Sequence, residues 1–204
     1  MTASAGETID LSMNELEMTA LKAARGAGLP WSIAEDVGRA ARWLAGQDDG
    51  WPALLLEALE PGAVLDTDAS PFLAGARLAD RIDGLEPGEE IGASVLYPVW
   101  LVAMLAVNIH GSRNVLVSVG GEWFSITEGS VAGSIRLEGL AALARADIRL
   151  SPGERRLAHA LAPSRTRSII PMSHHAALDV LVYRTYVPNS EKSRLRGAGA
   201  RPGF

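Results

Sequence analysis

Arg184, Tyr186, Ser190, Ser193, Arg194 and Arg196 place guanidinium, phenol and hydroxyl donors within 13 residues near the C-terminal end of the chain, in RTYVPNSEKSRLRGAGA. Donors of this kind suit an anion. Guanidinium groups grip carboxylates and phosphates bidentately, and a segment starting after Pro188 can aim its first N–H groups at negative charge. A second constellation lies just upstream. His175 and Asp179 are i and i+4 on one predicted helix, the spacing at which a carboxylate orients an imidazole for acid–base work. His174, being adjacent, points away from His175, so the two rings do not chelate one ion. A metal would need His110, His159 or distant carboxylates, for which the spacing gives no support, and no metal site is expected.

The composition excludes much other chemistry. There are no cysteines in the 204 residues, hence no disulfide, thiolate nucleophile or thiolate-held metal. No phosphate-binding loop, dinucleotide fingerprint, H-E-x-x-H or G-x-S-x-G pattern occurs. No cofactor is therefore expected. The alternating oxygens of Asp66, Asp68 and Ser70 lack the glycine and distal glutamate of a calcium loop and predict a solvated turn with Ser70 as a helix cap. The N-terminus carries acids in place of a basic, apolar leader, which makes a cytoplasmic location the expectation. The most apolar run, Val95 to Ile109, is 15 residues long and broken by Pro98 and Asn108, short of a bilayer span.

Charge is divided along the chain. Residues 1–100 hold 6 basic and 17 acidic side chains, and residues 101–204 hold 13 and 7. The two halves attract each other across an internal or subunit interface, so a protein partner or a homodimer is one expectation. Nucleic acid is not: the first three helices suggest a helix-turn-helix, but Glu35 and Asp36 beside Arg39 and Arg42 oppose phosphate contacts.

The elements that carry these residues follow from periodicity. Ser12-x-x-Glu15 forms a capping box ahead of Leu16, Ala20, Ala23, Ala24 and Ala27, predicting a helix over 13–27 that stops at Gly28. Ser32-x-x-Glu35 repeats the signature before Ile33, Val37, Ala40, Ala41 and Leu44, with an end at Gly46. Pro52 and Pro71 start two further helices, to Leu59 and Ile82. Trp31, Trp43 and Trp51 are expected as core anchors. Pro98–Ile109, apolar all round, predicts a buried helix. NVLVSV and EWFSIT around Gly120-Gly121 predict a β-hairpin, and SIRLE, DIRLS and TRSII further strands. A helix capped by Ser173, HHAALDVLVYRTY, and a short segment SEKSRLR close the chain. The fold class is α+β: a helical N-terminal half, then an antiparallel sheet with helices in the C-terminal half. One domain over 1–204 is expected, with a subdivision into 1–90 and 91–204 at the acidic turn DGLEPGEE.

The tetrapeptide RGAG occurs twice, at Arg25 and at Arg196. The first copy has the grammar of a helix stop, with Arg25 in the last turn, Gly28 beyond it and then Pro30. The second comes with the anion-binding side chains and no element to follow. Together, LSMNELEMTALKAARGAGLPWSIAEDVGRAARWL and RTYVPNSEKSRLRGAGA resemble the bacterial family of uncharacterised proteins known as domain of unknown function 3726, over nearly the whole chain. The resemblance implies a soluble bacterial protein and names no chemistry.

Three functions are consistent with these residues. The first is a protein that binds a small anionic metabolite, or an accessory subunit of a metabolic enzyme, through Arg184, Tyr186, Ser190, Ser193, Arg194 and Arg196. The second is a cofactor-free isomerase, racemase or lyase acting on a small organic acid, with His175 as acid or base and Asp179 orienting it. The third is a structural interaction protein.

Overall fold

The computed structural model describes residues 6–47, 50–66, 68–82, 84–110, 114–120, 122–127, 130–133, 137–153, 160–161 and 165–186. Its N-terminal half is helical after one short strand: β1 (Thr8–Ser12), α1 (Met13–Gly26), α2 (Trp31–Ala45), α3 (Trp51–Ala58), α4 (Pro61–Val64) and α5 (Pro71–Ile82). The second half holds β2 (Ile91–Leu96), α6 (Pro98–Asn108), β3 (Val115–Val119), β4 (Glu122–Thr127), β5 (Ser130–Gly133), α7 (Leu137–Ala141), β6 (Arg145–Pro152), β7 (Ala160–Leu161), β8 (Arg167–Pro171) and α8 (Met172–Tyr183). Every strand pair is antiparallel, and the expected α+β class is what the chain adopts.

Six strands form one sheet in the order β2-β6-β3-β4-β5-β7. Val115, Val117 and Val119 of β3 alternate inward and stand opposite Phe124 and Ile126 of β4 and Ile148 and Leu150 of β6, so one face is a continuous apolar surface. Helix α6 lies between that sheet and the helices α2 and α5. This accounts for its sequence: from Pro98 to Ala106 every residue is buried, because each side of the helix meets protein. Tyr97, with φ 47°, makes the sharp turn from β2 into α6, and its N–H is fixed by the Ala144 carbonyl at 2.9 Å.

The second sheet is the pair β1–β8. It joins the two ends of the described chain, with the Arg167 Nε donating to both oxygens of Asp10 at 2.8 and 2.9 Å. Beneath it, Trp51 Nε1 donates to the buried Ser168 hydroxyl at 3.2 Å. Helix α1 then packs against α2 on one side and α8 on another.

Several local expectations are corrected. Ser32 and Ser173 cap nothing: Pro30 and Pro171 are the N-caps, and the helices begin one residue before each serine. Proline at the cap fixes φ near the helical value, and the Pro30 carbonyl accepts from Ala34, which starts the helix early. SIRLE is not a strand over its described residues, since Leu137 and Glu138 open α7. Trp31 is 58% exposed, unlike Trp43 and Trp51, because it stands at the first position of α2 and turns its ring to the Arg25 guanidinium, 5.7 Å away. The SEKSRLR segment lies outside the described residues.

Candidate functional site

Of the C-terminal anion cluster, Arg184 and Tyr186 are described; Ser190, Ser193, Arg194 and Arg196 lie outside the described residues, as does the second RGAG. Arg184 is the exposed C-cap of α8, and among the described residues no hydrogen bond or ion pair engages its side chain. The Tyr186 hydroxyl accepts from Lys22 of α1 at 3.4 Å, and its ring lies 5.9 Å from that of Tyr183. His175 and Asp179 do meet, with Nδ1 3.3 Å from Oδ2. Neither lines either of the two clefts described below. Among the described residues no group of three or more His, Asp or Glu side chains is placed to hold a metal.

The first RGAG is more than a stop. Gly28, at φ 106°, donates its N–H to the Arg25 carbonyl at 3.0 Å, and Leu29 donates to Ala24 at 3.2 Å, which together form a Schellman ending. Arg25 closes it by donating a guanidinium N–H to the Leu29 carbonyl. Gly26 has a different task. A Cβ there would stand 1.8 Å from the Leu181 carbonyl oxygen, so glycine is what lets α1 and α8 approach so closely.

Another concentration of guanidinium groups, this one facing a cavity, lies elsewhere among the described residues. A cleft of about 740 Å³ opens between the start of α1, the polar face of α2, the end of α6 and the residues entering β8, lined by Asn14, Glu17, Arg39, Arg42, His110 and Arg165 among others. Arg42 uses Nη1 on Asn14 Oδ1 at 2.9 Å and Glu17 Oε2 at 3.0 Å; among the described residues its Nε and Nη2 have no acceptor. Arg39 donates through Nη2 to Asp36 and to Asn108 Oδ1, the latter at 2.9 Å. The lining thus holds three guanidinium groups and one carboxylate, and the floor of the cleft includes the buried Trp43. Its size is that of ordinary small-molecule sites.

A smaller cleft of about 500 Å³ adjoins it, and the two share Ile109 and His110. Its lining includes Ser32, Asp36, Asp80 and Asn108, with two carboxylates and no lysine or arginine. Burial pushes the Asp36 carboxyl above its usual range, against the opposing pull of Arg39 and Asn108.

Most of the arginine-lined wall comes from α1 and α2, and both helices lie within a segment that matches a family model. Residues 11–83 match the model of the family described as Protein of unknown function (DUF3726). The resemblance is therefore borne out for the helical N-terminal part; the match stops short of the second RGAG. No curated protein matches the chain, and no solved structure does. Within the matched segment lie Ser12, Asn14, Glu17, Arg39, Arg42 and Trp43 of the larger cleft. His110 and Arg165 are contributed by the rest of the chain.

In the sequence, Arg39, Arg42 and Asp36 read only as charges unsuited to DNA. Their placement i, i+3 and i+6 on the polar face of α2 was legible. That Arg165 and His110 come to the same cavity was not, since the segments are joined only by the fold.

Proposed function

We propose that the chain is a bacterial, cytoplasmic protein that binds a small anionic metabolite, a carboxylate or phosphate, in the cleft lined by Arg39, Arg42 and Arg165, with no catalysis of its own. The observation that carries this reading is the excess of guanidinium groups around one cavity of ligand size. Arg42 supports it most. Its single guanidinium edge on Asn14 and Glu17 fixes the side chain, and the other edge keeps donors for a ligand oxygen. The start of α1 adds a weaker positive end, partly offset by Glu15 and Glu17.

Magnitudes favour modest affinity. A charge-assisted hydrogen bond contributes about 1.5–3 kcal/mol, and these arginines are half-exposed, so solvent and salt reduce that figure. A thermal-shift screen of carboxylates and sugar phosphates tests the proposal. At least one anion should raise the midpoint in wild type, less so as salt is added, and Arg42→Ala should remove the shift. No shift with any anion, or shifts that survive both Arg39→Ala and Arg42→Ala, would discard it.

A further inference from the structure

The two clefts abut, carry opposite charge and share the Ile109–His110 rim. A ligand held only by the arginines would leave the second cavity without a role. Asp36 and Asp80 face that cavity, and Asp80, exposed on α5, has no ion-pair partner among the described residues. Asp36 is different, for its Arg39 partner stands at the boundary between the clefts and belongs to the larger one. One guanidinium of the larger cleft thus bonds two side chains that line the smaller one. It is positioned to meet an anionic group on one side while fixing an acceptor on the other.

Resting on the anion-binding reading above, we propose that the ligand is bipolar: an amino-carboxylate whose carboxylate lies among Arg39, Arg42 and Arg165 and whose ammonium crosses the rim toward Asp36 and Asp80. Complementary charge at both ends sets the orientation of such a molecule and rejects a simple diacid, whose second carboxylate would face two aspartates. It also rejects a simple diamine at the arginine end. The His110 imidazole stands at the rim, in the lining of both clefts.

Calorimetric titration of the full chain distinguishes the two levels of the argument. The probes are a homologous series of ω-amino carboxylates and the n-alkanoates of equal length, applied to wild type, Asp80→Asn and Arg42→Ala. At one chain length the amino-carboxylate should bind about tenfold tighter than its alkanoate, a difference of about 1.4 kcal/mol. Asp80→Asn, a surface change that should leave the unfolding midpoint unaltered, should reduce that preference and leave alkanoate binding as it was. Equal affinity of both series at every length, with both lost in Arg42→Ala, would overturn the bipolar ligand and leave the anion site standing. Binding of neither series, nor of inorganic phosphate, would overturn both.

Discussion

Gly26 and Gly28 are two residues apart and do unrelated work. Gly28 supplies a positive φ at the end of α1, a role written in its neighbours Arg25 and Pro30. Gly26 admits the Leu181 backbone, and nothing within reach of Gly26 along the chain announces a contact with a residue so distant. Gly26→Ala should therefore cost about 3 kcal/mol, because the obstructing atom is backbone and cannot rotate away. Gly28→Ala should cost about 1 kcal/mol for the positive φ alone. Gly62→Ala, with nothing within 4 Å of the added carbon, should be close to neutral. Urea unfolding of the three variants checks the ranking. At the same scale, two carboxyls should respond to pH with opposite signs. Asp36, raised in the folded state, contributes stability below its unfolded value near 3.8 that is lost as pH rises through the folded one. Glu15, lowered by the Ser12 backbone N–H and then the Ser12 hydroxyl, contributes stability above 4.5 that is lost as pH falls through its folded value. Relative to wild type, the melting temperature of Asp36→Asn should thus rise with increasing pH, and that of Glu15→Gln should fall; parallel curves would contradict both assignments.

Elements whose signal is local were legible. The Ser12–Glu15 box is present in full, with Glu15 N–H on the Ser12 hydroxyl at 3.3 Å and Ser12 N–H on the Glu15 carboxylate at 2.8 Å. The hairpin β3–β4 and the all-apolar α6 likewise carry their own evidence. Elements that exist through distant partners were not. β1 is five residues long and pairs with β8 more than 150 residues later. β2, IGASVL, has weak strand propensity, and its Gly92 is explained only by the Ile148 carbonyl 2.9 Å from where a Cβ would be. The second capping box failed for a different reason: a proline two residues earlier begins the helix first. Replacing Ser12 by Ala should cost about 1 kcal/mol, whereas Ser32→Ala, removing no cap, should cost little; thermal melts of the pair decide it.

Taken whole, the molecule makes the cut at residue 90 a seam in sequence that its packing crosses. The hydrophobic core runs without interruption from Leu11 to Val182, with α6 packed between the larger sheet and the helices α2 and α5 and with α8 seated on α1. A fragment of residues 1–90 should accordingly lack a cooperative thermal transition; a sharp one at a temperature near that of the full chain would show that the helical half folds alone. The larger cleft has the same composite origin, which is why its arginines could be listed from the sequence and not assembled from it. The central claim is that anion recognition resides there and not at the end of α8. Calorimetric titration of the most effective anion from the thermal-shift screen into wild type, Arg42→Ala and Arg184→Ala separates the two places. Arg42→Ala should weaken binding about tenfold or more while Arg184→Ala leaves it unchanged. Binding that survives Arg42→Ala and is lost in Arg184→Ala would contradict the account.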